Sequence, residues 1–306
     1  MEHRPMDYIP VTPGKKVKSF ILKTGQWVLA PLVGAGNLAN ALVKGFNFSR
    51  FQLTYPIHPR DIFIVTYPKS GTTWMQMILY QLTSDGNMRF GHILQKSPFW
   101  EEMMWGGKVP RRLTAPGVFK THLSYKTMGK YPCKYIYIVR DGKDVAVSYY
   151  HHYLNLMGFR GSFNDFFFTI FLKGGYQDCN WFEHVRDWYR NDMGLDILYV
   201  KYEDMKTDLR GVINRVMEFC GIQVDEANLR RVVERSGFAF MKTHEDKFDP
   251  ATEYLYQRGI IPGKFLRKGE SGGWQEYFDD IHAREYSALY RRWLEGKADF
   301  DYGLKM

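Results

Sequence analysis

An α/β fold with a mainly parallel sheet flanked by helices on both faces is what this chain predicts, and three observations predict it. A short apolar run followed by a tight polar turn and a helical repeat of apolar residues occurs twice, over residues 62–82 and 134–152. Two further short runs, over 117–124 and 197–202, have the length and the β-branched or aromatic content of buried strands. Helical patterns lie between the strand patterns, as the crossovers of a parallel sheet require.

In the first unit, Ile62, Phe63, Ile64 and Val65 read as the strand, and Trp74, Met75, Met77, Ile78, Leu79 and Leu82 as the helix. The turn between them is Pro68-Lys69-Ser70-Gly71-Thr72-Thr73. Strand, tight loop and helix in that order make a P-loop-like anion cradle. The first N–H groups of the helix have no intrahelical acceptor and stand at the positive end of its dipole, so a phosphate is bound there by geometry. Lys69 adds a full charge and the hydroxyls add donors. In the nucleotide-hydrolysing loop G-x-x-x-x-G-K-[ST], the lysine follows the second glycine. Here Lys69 precedes Gly71 and the first glycine is missing, which argues against ATP splitting. It favours a loop that grips one phosphate while its lysine faces a neighbouring bridging group.

The 306 residues suffice for one large α/β domain, read here as 1–306 with 1–45 as a helical N-terminal extension. Net charge is +9, from 42 basic and 33 acidic residues, which favours an anionic partner. No zinc spacing, aromatic RNA-binding signature or long basic block is present, so a small, highly charged nucleotide is expected rather than nucleic acid. No metal-binding constellation is visible. Three well-separated cysteines, Cys133, Cys179 and Cys220, argue against a disulfide framework and point to a reducing, cytoplasmic setting. The first residues lack an apolar signal-peptide core, and residues 24–43 carry no formal charge. Their Gln26, Pro31, Asn37, Asn40 and glycines make them less apolar than a spanning helix, so an amphipathic hairpin over the domain or its pocket is expected. Interfacial membrane contact by residues 20–45 is the alternative.

Residues 46–61, with Pro56 and Pro59, read as an irregular lead into the first strand. Residues 84–116, rich in Gly, Pro, Met and aromatics, read as mobile lining of an acceptor pocket. In GVFKTHLS, Lys120 and His122 lie two apart and face one side of an extended strand, at the carboxyl end where open α/β sheets place ligands. In the second unit, Arg140 closes the strand and Ser148 lies about two turns into the helix. Trp181, Val185 and Trp188 form a helical core stripe, and Val212, Val216 and Phe219 face inward from the first of two scaffold helices that part near Gly221. Residues 243–263 read as a polar lid.

TYPKSGTTWMQMILYQL resembles the 5′-phosphosulfate-binding loop of the cytosolic sulfotransferases, enzymes that use 3′-phosphoadenosine 5′-phosphosulfate (PAPS) and release 3′-phosphoadenosine 5′-phosphate (PAP). The likeness extends over roughly residues 61–274. FKTHL matches the motif whose histidine is the family's general base, which makes His122 the expected base, with Lys69, Lys120 and Ser148 beside it in catalysis. By the same resemblance Lys69, Ser70, Gly71, Thr72, Thr73 and Trp74 would hold the 5′-phosphosulfate, Arg140 and Ser148 the 3′-phosphate, and Tyr202 in YEDM the adenine. Ser236 and Phe238 stand where the family has Thr-Ser-Phe against adenine, with Gly237 departing from that pattern. FLRKGESGGW is similar to the family's R-K-G-x-x-G-D-W loop, so Phe265, Leu266, Arg267, Lys268 and Gly269 are expected near the 3′-phosphate, with Gly273 in place of Asp.

The resemblance implies a sulfotransferase that transfers the sulfuryl group to a hydroxyl or amine of a small, partly apolar acceptor, without a metal. A sulfotransferase-like dehydratase and a P-loop-type nucleotide kinase or NTPase are the alternatives. QEYFDDIHARE lacks the Thr-Val of the family's common dimer segment, so a monomer or a non-standard dimer is expected.

Overall fold

The computed structural model describes residues 37–106, 116–175, 177–248, 266 and 272–296. Among them, helix α1 (Asn37–Thr54) leads into strand β1 (Ile62–Thr66), and helix α2 (Thr72–Thr83) follows the loop. Helix α3 (Trp100–Gly106), strand β2 (Val118–Thr121), the single turn α4 (Tyr125–Met128), strand β3 (Lys134–Val139) and helix α5 (Gly142–Leu156) come next. After α6 (Phe163–Phe166) and α7 (Trp181–Arg190), strand β4 (Asp196–Lys201) runs directly into α8 (Tyr202–Thr207). Helices α9 (Leu209–Cys220), α10 (Glu226–Ser236), α11 (Phe238–Thr243) and α12 (Asp280–Trp293) complete the described chain.

The four strands form one parallel sheet in the order β2-β1-β3-β4. Alternation along each strand sends side chains to two cores, because successive residues point to opposite faces. Phe63, Val65, Phe119, Tyr135 and Tyr137 pack with Phe51 of α1 and Tyr55 just after it, Trp100 of α3, and Trp181 and Trp188 of α7. Ile62, Ile64, Val118, Ile136 and Ile138 pack on the other face with Met75, Ile78 and Leu79 of α2, Val212 and Val216 of α9, and Val232 of α10. Helices therefore cover both faces, as the sequence predicts. Asp61, fully buried, ties the base of the sheet together: its carboxylate accepts from the amides of His58 and Gly117, at 2.8 and 2.9 Å.

Two expectations are corrected. Residues 46–54 are not an irregular lead but the second half of α1. Phe51 and Tyr55, four residues apart, meet Trp100 edge-on with ring centroids 5.0 Å from each, so burial carries the helix to Thr54, two residues before Pro56. Nor is the described part of 84–116 only pocket lining: Trp100 and Met104 are fully buried and form part of the main core. Of the expected N-terminal hairpin, residues before Asn37 lie outside the described residues, as do residues 249–263 of the expected lid. Phe248, at the end of the lid's described part, is buried with Met77, Tyr80 and Met241. No helix among the described residues is long and apolar enough to cross a membrane.

Candidate active site

The parallel sheet delivers its candidate residues to one edge. The phosphate-type loop leaves the carboxyl end of β1, His122 follows β2, Arg140 follows β3, and Tyr202 follows β4. This is the crevice where open α/β sheets bind ligands.

The loop itself is conformationally unusual. Lys69 has φ 70° and Gly71 φ 105°, so two residues within three stand in the left-handed region, where a side chain costs energy. Gly71 also permits a close approach. A Cβ there would lie 2.8 Å from Cδ2 of Tyr202. As the N-cap of α2, Gly71 offers no side-chain acceptor, which leaves the first amides of that helix to other partners.

Around the loop, Arg140 is buried, donates from Nη1 to the Lys69 carbonyl at 3.1 Å, and stacks its guanidinium on the Tyr202 ring at 4.5 Å. Trp74 meets Tyr202 edge-on at 5.7 Å and donates its indole N–H to the Ser236 carbonyl at 2.7 Å. Lys69, Gly71, Trp74, Arg140, Tyr202 and Ser236 therefore form one contiguous surface drawn from distant segments. The hydroxyls of Ser70 and Ser236 are buried there without a hydrogen-bond partner. Thr72 is buried, its hydroxyl 2.6 Å from that of Thr66, while Thr73 is half-buried in the same first turn. Ser148 is half-buried on α5, and Phe238 opens α11 with 42 % of its surface exposed.

The other half of the site surrounds His122. Its Nδ1 lies 2.8 Å from the Thr66 carbonyl, which can only accept, so Nδ1 carries the proton and Nε2 keeps the lone pair. Lys120 and His122 do share a side: the Lys120 ammonium sits 4.4 Å over the Phe99 ring, and that ring meets the imidazole at 5.4 Å. Burial, then the charges of Lys120 and Lys69, push the His122 imidazole down to about 3, against a smaller upward pull from the Thr66 carbonyl. Burial lowers the Lys120 ammonium as well, opposed by Glu101 and Glu102.

Two residues here had no place in the sequence reading. His152 is one turn beyond Ser148 on α5, and its imidazole is driven well below its usual value by burial and then by Lys69, Lys120 and His122. The i, i+4 relation to Ser148 was the available clue. Glu101 is buried on α3 and accepts the backbone N–H of His122 at 2.6 Å; nothing in the periodicity of its segment marks it.

Phe265, Arg267, Lys268 and Gly269 lie outside the described residues, but their flanks do not. Leu266 donates its amide to Glu245 at 2.5 Å and accepts from the Lys242 ammonium. Gly272 donates its amide to both carboxylate oxygens of Asp144, at 3.1 and 2.9 Å, and Lys143 lies 4.0 Å over the Trp274 ring. The segment thus begins beside the helix that starts with Phe238 and returns at the N-terminus of α5, close after Arg140. Among the described residues, no group of three or more His, Cys, Asp or Glu side chains could hold a metal ion.

Comparison with known proteins agrees with this arrangement. The family profile described as the sulfotransferase domain matches residues 59–298. Human sulfotransferase 1C2 is 31% identical over 267 residues, covering 82% of this chain and 88% of the relative. Mouse sulfotransferase 2B1 is 34% identical over 268 residues, covering 84% and 78%. Among solved structures, retinol dehydratase in complex with androsterone and the inactive cofactor PAP superposes with a TM-score of 0.68 at 26% identity, covering 81% of this chain and 84% of that one. A mouse sulfotransferase complexed with PAP gives a TM-score of 0.55 at 29% identity, covering 76% and 82%. With the domain matched over most of its length and relatives this close, the chain belongs to the sulfotransferase family.

Proposed function

We propose that this chain moves the sulfuryl group of PAPS to a hydroxyl or amine of a small, partly apolar acceptor, with His122 as the general base. The observation that carries the reading is the convergence of Lys69, His122, Arg140 and Tyr202 at the carboxyl ends of four parallel strands, around a loop whose helix N-terminus is left uncapped. Nε2 of His122 takes the proton as the acceptor atom attacks sulfur; the bond from sulfur to the bridging oxygen breaks, and PAP leaves with the electron pair. Lys69 and Lys120 offset the negative charge that grows on the leaving phosphate and the sulfuryl oxygens. A bound phosphosulfate, opposite in charge to the two lysines, raises the His122 imidazole toward the range a base needs.

For the donor, Ser70, Gly71, Thr72, Thr73 and Trp74 grip the 5′ end, and Arg140 and Ser148, with Arg267, Lys268 and Gly269, take the 3′-phosphate. Tyr202, Ser236 and Phe238 take the adenine, with Phe265 and Leu266 leading into the last loop. The Arg140–Tyr202 stack supports this assignment, since it would carry the positive charge and the flat ring to one nucleotide. Retinol and androsterone are the molecules bound in the retinol dehydratase structures, and the Phe99 ring beside Lys120 and His122 supports an apolar acceptor of that kind here. That same likeness favours a second reading, in which an alcohol is sulfated and the sulfate then eliminated. We read residues 1–306 as one domain working as a monomer or a non-standard dimer, and its free cysteines suit a reducing, cytoplasmic compartment.

Thermal-shift titration with PAP, ADP and ATP tests the donor site. PAP at ~100 times its dissociation constant should add roughly 2.7 kcal/mol of stability, with ADP and ATP far behind. Equal stabilisation by all three would return the chain to the NTPase class. Product analysis with PAPS and an alcohol panel then separates a sulfate ester from an alkene.

A further inference from the structure

Every residue of the turn after β2 is held from outside. The Leu123 carbonyl accepts from the Trp188 indole at 3.1 Å, and Ser124 donates from its amide and its hydroxyl to Asp178 at 3.2 and 2.7 Å. The His122 amide is held differently, by the buried carboxylate of Glu101 at 2.6 Å, shorter than an ordinary amide bond to a neutral acceptor. Glu101 is 3 % exposed, and its second oxygen, Oε2, is buried without a hydrogen-bond partner. An acid placed so is costly, and an amide acceptor alone does not require one: a backbone carbonyl or an Asn side chain would serve. The charge has another recipient. Lys120, two residues before His122, feels Glu101 as the larger of its two carboxylate partners, Glu102 being the exposed second.

We propose that Glu101 is a positioning residue of sulfuryl transfer, fixing the backbone of His122 and supplying the counter-charge for the half-buried Lys120 ammonium beside the reacting group. The inference rests on the sulfotransferase reading of the site. The groups that bear on the carboxyl are Lys120, the His122 amide and the Thr121 hydroxyl from β2 and its end, and its own backbone on α3; Glu102 bears on Lys120, and the rings of Phe51 and Tyr55 pack against the adjacent Trp100. Burial raises the Glu101 carboxyl to about 7, despite the opposing pull of the His122 amide and Lys120, so its charge is present above neutrality and withdrawn below it.

The test uses the full chain as wild type, Glu101→Gln, Glu101→Ala and Glu102→Gln. With histidine labelled by nitrogen-15, the His122 amide proton of the wild type should shift with a midpoint near 7. In Glu101→Gln it should not titrate in that range. In PAPS turnover, Glu101→Gln keeps an oxygen for the amide but loses the charge, so the alkaline limb of kcat/KM should move to lower pH. Glu101→Ala also strands the amide and should lose roughly a further five- to hundredfold in kcat. PAP affinity should stay within about threefold in both, which a general loss of fold would not allow. A wild-type His122 amide that does not titrate, a Glu101→Gln pH profile matching the wild type, or an equal shift from Glu102→Gln would each overturn the inference. Failure of the sulfotransferase reading would look different: the wild type would show no preference for PAP and no transfer.

Discussion

At the scale of single residues, the site depends on atoms whose freedom has been removed. His122 has one ring nitrogen committed to the Thr66 carbonyl, so the other is fixed as the acceptor of a proton. Replacing His122 with Ala should lower kcat on the order of 10²- to 10⁴-fold while PAP affinity, read by calorimetry, changes little. Gly71 is constrained by backbone and by space together: its φ of 105° and the 2.8 Å approach to Tyr202 both oppose a methyl group. Gly71→Ala should cost roughly 1 to 3 kcal/mol, seen as a fall in Tm, and should weaken PAP binding because the Tyr202 ring must give way. A variant with unchanged Tm and PAP affinity would mean the loop is less constrained than its geometry requires.

At the scale of elements, α5 is the hinge between the two halves of the candidate donor site. Asp141 caps it by accepting from the Lys143 amide at 2.7 Å, and Ser148 and His152 follow along its length. Asp144 and Lys143 in its first turn hold Gly272 and Trp274, which return the chain from the Arg267–Lys268–Gly269 segment. Asp144→Ala should therefore raise KM for PAPS roughly tenfold and leave kcat at saturating donor nearly intact, since only the delivery of that segment is impaired. An equal fall in kcat and no change in KM would assign Asp144 to the transfer step instead. Arg140→Ala should remove both the Lys69 carbonyl contact and the Tyr202 stack, abolishing the preference for PAP over ADP in thermal shift.

At the scale of the whole molecule, the site stores a pH dependence of stability. His184, fully buried beside the Tyr137 hydroxyl at 3.0 Å, is pushed down to about 4 by burial, and His122 to about 3. Between these values and the ordinary histidine range, the unfolded chain binds more protons than the folded one, so stability rises with pH across that window and is lost as pH falls through it. For His184 alone the difference is about 3 kcal/mol. Glu101 at about 7 and Asp141 at about 6 run the other way: each holds its proton longer when folded, so its contribution falls as pH rises through the range above the ordinary carboxylate value. With His152, also pushed well down by burial, three imidazoles act against two carboxyls, and Tm should drop as pH falls from about 6.5 toward 4. In Glu101→Gln one opposing group is gone, so the same drop should be steeper. A Tm independent of pH over that range would contradict the buried neutral histidines.

The amino-acid sequence determined by itself what local pattern can carry. Each of the strand patterns at 62–65, 117–124, 134–139 and 197–202 holds a strand, because short apolar runs flanked by turn residues have few other ways to be buried, but β2 stops at Thr121 before His122 and Tyr202 already opens α8. The order of Lys69 and Gly71 within the loop spoke against ATP splitting, since a loop's ligand depends on its local register, while phosphosulfate came from the resemblance of the whole segment. Helix ends were less legible. Pro56 and Pro59 suggested irregular chain, but burial of Phe51 and Tyr55 against Trp100 kept the helix going, and that partner lies far along the sequence. Glu101 and His152 show the limit at the site. An acid in WEEMMW or a second histidine in a helix carries no distinguishing pattern, and each acquires its chemistry from residues on another element. Tertiary structure alone brought Glu101 beneath the His122 amide and His152 toward two lysines, because burial and Coulomb interactions depend on distance in space and not on spacing in the chain.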